Sequence, residues 1–311
     1  MTCIKIESPG LFTTVQDNGR YGYQRFGMPV SGAMDIFSLQ LANLLAGNST
    51  DCACLETTYT GPELLFTSMG AIAICGADMG PLKNGIPVPM NKTIPVKNWD
   101  RLSFTGLRNG CRSYISFAGG IDVPSVMGSR STYLRARIGG FQGRALKAGD
   151  QLELGQIKGD IMIKEIPAEN LPEYLPVAEL RIIRGPEIDQ FDDKEIRSFL
   201  IAEYNVTDQS DRMGYRLSGE MIKHKAGRAD IISAGISPGT IQIPGNGQPI
   251  ILMADRQTTG GYTRIANIIT ADLQLAAQFK PGDKIRFREV TIEEAQNILS
   301  DRSGLIRDFL K

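Results

Sequence analysis

Asp255 to Tyr262, reading DRQTTGGY, follow directly on the apolar run Ile250-Ile251-Leu252-Met253 and a single alanine. They combine a carboxylate (Asp255), an amide (Gln257), two hydroxyls (Thr258, Thr259), two residues without side chains (Gly260, Gly261) and a phenol (Tyr262). A carboxylate and an amide together can accept from and donate to an amide or ureido group. If the strand pattern persists to that point, Asp255 and Gln257 face one way, because residues two apart on a strand share a face. The glycine pair lets a backbone approach a ligand closely, and Tyr262 adds a ring to stack and a hydroxyl to donate. This inventory suits a small planar polar ligand held at a strand end. The same residues also make an ordinary turn if Asp255 and Arg256 pair with their neighbours.

Three further clusters gather polar groups around glycine. TTVQDNGRYGYQRFGMPVSGAMD (13–35) carries Gln16, Asp17, Arg20, Tyr21 and Tyr23, then Ser31-Gly32 ahead of a helix that Asp35 can cap. The N–H groups at that helix start can meet an anion or a carbonyl; a capped, glycine-rich turn accounts for the same residues. MGSRSTYLRARIGGFQGRAL (127–146) holds Arg130, Arg135, Arg137 and Arg144 among Ser129, Ser131 and Thr132. Guanidinium forks match carboxylate or phosphate, and a solvated basic loop is the alternative. SDRMGYRLSGE (210–220) sets Asp211, Arg212 and Arg216 beside Met213-Gly214-Tyr215.

Several classes of chemistry find no support. No G-x-x-x-x-G-K-[ST] occurs, and no G-x-G-x-x-G leads from a strand into a helix, so a nucleotide needs another cradle or a partner chain. The single histidine, His224, lies between two lysines in MIKHKAGRA; it excludes a histidine-rich metal site and reads as a solvated surface residue. Five cysteines at irregular spacing argue against a disulfide framework, and the Cys52-x-Cys54 pair lacks the further ligands of a zinc site. Thirty-four Lys+Arg balance thirty-four Asp+Glu, so no basic excess draws in a nucleic acid. The N-terminus lacks a basic region followed by an apolar one, and no window approaches about eighteen uninterrupted apolar residues. A cytoplasmic protein with neither a membrane nor a nucleic-acid partner is expected.

The elements that must position these clusters are mostly short strands broken by Gly, Pro, Asn and Asp. Strands are expected at Ala71–Cys75, Ile94–Val96, Arg101–Phe104, Ser113–Phe117, Gln151–Leu154, Leu180–Ile183, Thr240–Ile243, Pro249–Met253 and Lys284–Phe287. Helices are few: 35–45, 187–202, 292–299 and a shorter one at 271–279. LKAGDQLELG (146–155) echoes FKPGDKIRFR (279–288), and VKNWDRLSF (96–104) is a looser third copy. The echo suggests two related β-rich halves, 1–165 and 180–311, joined through the Pro- and Glu-rich segment 166–179.

In order along the chain, the blocks at 13–35, GSRSTYLRARIGGFQGRALKAGD, SDRMGYRLSGE and GQPIILMADRQTTGGYTRIA resemble the signatures of the biotin-dependent carboxyltransferase family. This family, also labelled allophanate hydrolase subunit 2, includes KipA and the C subunit of the bacterial ATP-dependent 5-oxoprolinase. The resemblance covers nearly the whole chain. It implies a mainly β fold of two cyclophilin-like β-barrel domains with a few short helices. It also implies two partners from 5-oxoprolinase, one of the KipI-like B type and one of the A type, and ATP with Mg at the level of the complex.

The activity so implied is hydrolysis of 5-oxoproline to glutamate, as one subunit of an ATP-hydrolysing cyclic amidohydrolase. On that reading Asp255 orients the substrate amide or acts as base. Gln257 and the Gly260-Gly261 backbone donate to its oxygen, and Tyr262 completes the catalytic group. Gln16, Asp17, Arg20, Ser31, Gly32, Arg130, Ser131, Arg212, Met213, Thr258 and Thr259 bind substrate, with Arg212 or Arg130 holding a carboxylate or phosphate. No metal ligand is among them. A carboxyltransferase acting on urea would use nearly the same groups on biotin's ureido ring, and biotin is implied only there. A KipA-like regulator binding a KipI-like kinase inhibitor is the third implication.

Overall fold

Strands form where branched and small apolar residues alternate with polar ones between turn residues. Lys284–Glu289 shows the pattern: Ile285 and Phe287 are buried while Arg286 and Arg288 face out. Each such buried side chain contributes about 1.5–3 kcal/mol. The computed structural model describes residues 3–157 and 159–309. Two units divide the chain, one chiefly the segment up to Tyr21 with Ser31–Glu173, the other Gly22–Val30 with Tyr174–Leu305.

The first unit has two antiparallel sheets. One runs in the order Gln151–Glu153, Cys3–Ser8, Glu63–Phe66, Arg101–Phe104, Pro81–Lys83, Ile86–Pro87. The other runs Phe12–Gln16, Cys54–Thr58, Arg112–Phe117, Gly70–Gly76, Ile94–Val96. Ile4, Ile6 and Leu64 of the first share one core with Leu55, Ile72 and Ile115 of the second. The helix Ile36–Leu45 packs on the second sheet. Its cap is the expected one: Asp35 accepts from the Ser38 N–H at 2.9 Å.

The second unit is a closed barrel of seven strands. Its order is Val177–Arg184, Lys284–Glu289, Tyr204–Val206, Gly214–Ser218, Ile250–Leu252, Thr240–Ile243, Thr259–Ile268. The ring closes where Val177–Arg184 pairs Thr259–Ile268, with Ile182 opposite Ile268. Closure removes the exposed edges an open sheet would leave. An eighth strand, Asp230–Gly235, attaches outside the ring. The mainly β expectation with few helices holds, with one closed barrel in the second unit and two antiparallel sheets in the first.

The echoed sequence is a repeated turn. In all three copies the aspartate side chain accepts from the lysine N–H three residues earlier: Asp100 from Lys97 at 2.9 Å, Asp150 from Lys147 at 2.7 Å, Asp283 from Lys280 at 3.0 Å. The aspartate N–H returns a bond to the lysine carbonyl each time, at 3.1, 3.2 and 3.0 Å. This reciprocal K-x-x-D turn launches the strands Arg101–Phe104, Gln151–Glu153 and Lys284–Glu289. Two copies fall in the first unit and one in the second.

Other elements differ from expectation. The helix expected from 187 begins at Asp193, because Phe191 turns extended and buries its ring. The last helix is longer, Ile292–Phe309. The helix expected at 271–279 contracts to Leu273–Ala276 after a tight turn. The largest difference is at DRQTTGGY itself. Thr259–Ile268 is the longest strand of the protein's described residues, so Gly260 and Gly261 lie within a strand rather than in a loop beyond one. Glycine hides a strand from pattern reading because it supplies no side chain to alternate.

Candidate functional site

In the first unit, two distant blocks fold onto one carboxylate. Asp17 follows the strand Phe12–Gln16, and the loop around Ser129–Thr132 folds back over it. Oδ1 accepts from Gly19 N–H at 2.9 Å, from Ser129 Oγ at 2.7 Å and from Ser131 Oγ. Oδ2 accepts from Arg130 N–H at 2.5 Å. All four donors are uncharged, so a buried anion is held by oriented dipoles. Arg20 is wholly buried beside it, donating from Nε to the Val126 carbonyl and from Nη2 to that of Ser131, both at 2.9 Å.

Gln16 and the 31–32 turn join the same cluster. Gln16 is fully buried and its Nε2 donates to Thr14 Oγ1 at 3.0 Å and Thr132 O at 3.2 Å. Its Oε1 is buried and meets no hydrogen-bond partner. Ser31 Oγ donates to Thr132 O at 3.1 Å. Gly32, at φ 83°, lies against Gly19: a Cβ there would stand 2.8 Å from the Gly19 Cα. The structure thus gathers Gln16, Asp17, Arg20, Ser31, Gly32, Arg130 and Ser131. The Arg130 guanidinium itself turns outward, with Nε on the Val123 carbonyl at 2.9 Å and Nη2 3.8 Å from Asp122.

Val126 and Gly139 both touch Arg20 and line a cleft of about 510 Å³. Val123, Phe141, Leu152 and Glu153 form other walls. Gly139 and Gly140 press on the cluster from the cleft side. A Cβ at 139 would lie 2.0 Å from the Ser131 carbonyl, and one at 140 would lie 1.8 Å from Thr132 Oγ1.

In the second unit Arg212 and Asp255 meet each other. Both are buried, and the guanidinium grips the carboxylate in a fork, Nε to Oδ2 at 3.0 Å and Nη2 to Oδ1 at 3.1 Å. The backbones lock too: Asp255 N–H donates to Arg212 O at 2.8 Å and Met253 N–H to Met213 O at 2.9 Å. The preceding strand ends at Leu252 and Asp255 sits in a turn, so the shared strand face expected for residues 255 and 257 does not arise. Arg256 is buried and donates to the carbonyls of Ile236 and Met253, each at 3.2 Å.

Beyond the turn, Gln257, Thr259 and Tyr262 are exposed and Thr258 is half-buried, its carbonyl accepting from Ile236 N–H at 3.1 Å. The Gln242 and Gln257 amides flank Gly260, with Nε2 atoms 2.6 and 3.2 Å from where a Cβ would stand. Ile236 Cδ1 lies at 2.3 Å from the same point, so a side chain at 260 would have to push these side-chain ends aside. Gly261 is different: its nearest neighbours would be 3.6 Å away.

Sequence reading passed over several participants. Gln242 is the buried amide of TIQI, a lone polar residue in an apolar strand, and that contrast is a legible signal. Ser129 and Thr132 were within reach, in the block that supplied Arg130 and Ser131. Glu56 and Tyr114 form a buried pair behind the Asp35 helix start: Tyr114 OH donates to Glu56 Oε2 at 2.7 Å and accepts from Asp35 N–H at 2.8 Å. Burial and the neighbouring carboxylates push the Tyr114 phenol up. His224 is not a solvated surface residue. Its Nε2 lies 2.7 Å from Thr263 Oγ1 and its ring 4.9 Å from that of Phe191, and burial lowers its pKa.

These features sit on a recognised framework. Residues 26–289 match the family model for the carboxyltransferase domain, subdomain A and B, and the chain belongs to that family. The C subunit of 5-oxoprolinase from Escherichia coli (strain K12) is 41% identical over 96% of this chain and 95% of its own length. The corresponding 5-oxoprolinase C subunit of Haemophilus influenzae is 36% identical over 92% and 90%. Among solved structures, the K. lactis urea amidolyase superposes with a TM-score of 0.94 over 99% of this chain at 33% identity, and the chain spans 20% of that protein. TTHA0988 gives a TM-score of 0.84 at 31% identity, over 93% of this chain and 55% of that one. Among the described residues no helix is long and apolar enough to cross a membrane.

Proposed function

We propose that the chain is the C subunit of an ATP-dependent 5-oxoprolinase, opening 5-oxoproline to glutamate together with A- and B-type partner subunits in the cytoplasm. One observation carries this reading: the match to the E. coli 5-oxoprolinase C subunit runs over 95% of that relative at 41% identity. The exposed polar groups around Gly260 and Gly261 offer hydrogen-bond donors of the kind the reaction needs. A lactam is resonance-stabilised, and its opening needs a donor at the carbonyl oxygen, an acceptor at the ring N–H and a cation for the carboxylate.

In this reading Gln257 and the backbone at 260–261 donate to the lactam oxygen, with Gln242 holding the strand beneath them. Tyr262, Thr258 and Thr259 frame the same exposed face. Asp255 organises this turn through its fork with Arg212 and orients the substrate amide. In the first unit, the Asp17 cluster fixes the Ser129–Thr132 loop. Phosphorylation of the lactam oxygen by ATP would activate the ring. Among the described residues no group of three or more His, Cys, Asp or Glu side chains is arranged to hold a metal ion. The likeness to the 5-oxoprolinase C subunits is what assigns ATP with Mg to the assembled complex.

The test is reconstitution. Purified chain, A- and B-type partners, ATP, Mg²⁺ and 5-oxoproline are mixed and glutamate is measured, with this chain omitted as control. Glutamate that depends on the chain is expected; none, from a complex that still assembles, sinks the reading. The likeness to urea amidolyase favours a second reading, carboxyl transfer from carboxybiotin to urea. Chain-dependent consumption of carboxybiotin in the presence of urea would establish it instead.

A further inference from the structure

The loop 137–143 (RIGGFQG) bends sharply. Arg137, Gly139, Gly140, Gln142 and Gly143 all adopt left-handed backbone, at φ 54°, 65°, 52°, 56° and 65°. Glycine takes such angles freely, but arginine and glutamine rarely do. Strain of this kind persists only where the surrounding structure holds it, and it gathers at ligand sites. The loop also leaves donors unspent. The N–H groups of Gly140, Gly143 and Arg144 reach the carbonyls of Arg130, Gly139 and Phe141 at 2.9, 2.9 and 3.3 Å. Those of Gly139, Phe141 and Gln142 donate to no acceptor among the described residues.

Gly139, Phe141 and Gln142 line the cleft of about 510 Å³ in the first unit, and Arg137 lines it with them. Two other arginines of the same block are engaged, Arg130 near Asp122 and Arg144 with Asp150 at 2.7 Å. Arg137 is exposed, and its side chain forms no ion pair or hydrogen bond among the described residues. Turns that gather backbone N–H groups in a concavity bind anions. A guanidinium beside them suits a carboxylate or a phosphate. The rest of the lining chooses between these. It includes Asp122 and Glu153, tied together by the Asp122 N–H on the Glu153 carbonyl at 2.9 Å. Glu153 has no ion-pair partner among the described residues. Carboxylates so placed oppose the second charge of a phosphate and accept from N–H donors. Val123 and Leu152 add apolar surface.

We propose that this cleft binds a small carboxylate that also carries N–H donors, the chemistry of an amino acid or its lactam. The loop N–H groups and Arg137 take the carboxylate, Glu153 accepts from the nitrogen, and the apolar lining covers the carbons. The site lies wholly within the first unit and does not rest on the reading of the chain as a 5-oxoprolinase subunit. L-Glutamate and 5-oxoproline both fit the class: one brings an ammonium, the other a lactam N–H.

The experiment titrates the chain with L-glutamate, 5-oxoproline, cyclopentanecarboxylate and inorganic phosphate. Calorimetry gives the affinities, and amide NMR shifts of the isotope-labelled protein give the place. Glutamate or 5-oxoproline is expected to bind with a dissociation constant of about 1 mM or tighter and to shift the amides of Gly139, Phe141 and Gln142. The tighter of the two tells which nitrogen the site takes. Cyclopentanecarboxylate keeps the ring and the carboxylate but lacks the nitrogen, and should bind about tenfold more weakly. Arg137→Gly preserves the left-handed backbone and should weaken binding by about tenfold or more without lowering the unfolding midpoint. Glu153→Gln should weaken glutamate or 5-oxoproline and leave cyclopentanecarboxylate unchanged. No binding by either nitrogen-bearing probe, shifts confined to residues outside 137–143, or full affinity in Arg137→Gly would overturn the proposal. Phosphate binding as tightly as the carboxylates would overturn the ligand class. None of these measurements needs a partner or turnover, so they fail separately from the glutamate assay of the proposed function.

Discussion

Asp17 and Asp255 are both buried carboxylates just past the end of a strand, yet they are stabilised in opposite ways. Asp17 is solvated by two backbone N–H groups and two serine hydroxyls. Asp255 is gripped by the Arg212 guanidinium in a fork. A set of dipoles degrades gradually as donors are removed, because the remaining ones still point at the charge. An ion pair fails at once, because either partner left alone is an uncompensated buried charge. The first arrangement therefore holds several loop segments in one geometry, and the second makes a single switch-like lock between Met253–Asp255 and Arg212–Met213.

The largest effect should come from breaking that lock. Arg212→Met takes the guanidinium from the buried Asp255 and is expected to lower stability by about 3–5 kcal/mol, read as a shift in urea midpoint. Arg212→Met combined with Asp255→Leu should recover most of that loss, since replacing both partners by apolar groups is often near neutral. A double variant as unstable as the single would show that the pair's other contacts, not its charge balance, hold the turn. In the reconstituted reaction, a folded Asp255→Ala protein should lose turnover by roughly two orders of magnitude if Asp255 orients or deprotonates the amide. Near wild-type turnover would remove that role.

The dipolar site should be more forgiving. Ser131→Ala takes one of four donors from Asp17 and should cost about 1–3 kcal/mol, less than Arg212→Met in the same assay. A cost equal to that of the ion-pair variant would contradict the idea of a shared load. Ser129→Ala should behave similarly, and the two together should exceed their sum, because Oδ1 then keeps only the Gly19 N–H.

How far these two sites could be read from sequence follows from the same difference. Asp17's donors come partly from Ser129–Ser131, more than a hundred residues away, but both blocks announce themselves by clustered polar residues and glycine. Their union is a long-range event that no local pattern encodes. The Arg212–Asp255 pair was legible as two interesting residues and illegible as a pair, since each sits at a turn whose partner is another turn. The barrel was legible through strands such as Thr240–Ile243, where side chains alternate, and hidden at Thr259–Ile268, where Gly260-Gly261 interrupt the pattern. The glycine pair read as one feature splits in three dimensions. At position 260 a side chain would displace the ends of Ile236 and Gln242. Position 261 has room, so packing does not explain it. Gly261→Ala should leave stability within about 0.5 kcal/mol or raise it slightly, since alanine costs less strand entropy than glycine. A folded Gly261→Ala chain with depressed turnover would locate a ligand at that backbone; unchanged turnover would exclude one.

The smallest expected effect separates the two ways of burying charge by pH. His224 packs on Phe191 against Thr263, and burial depresses its pKa below the ordinary 6.5. Below pH 6.5 the unfolded chain's histidine therefore takes up a proton that the folded chain resists. Stability is full above that pH and falls as pH drops towards the folded value. Glu187 adds a second, lower step. The Arg264 guanidinium on Glu187 holds its carboxyl below the ordinary 4.5, so the stability it contributes is present above 4.5 and is lost as pH falls through the folded value. Urea midpoints between pH 8 and 3 should show both losses, the first in the window just below about 6.5. His224→Gln should erase the upper loss and keep the lower one. An upper loss that survives in His224→Gln would move its origin to another group and leave the barrel's single histidine without a part in pH sensing.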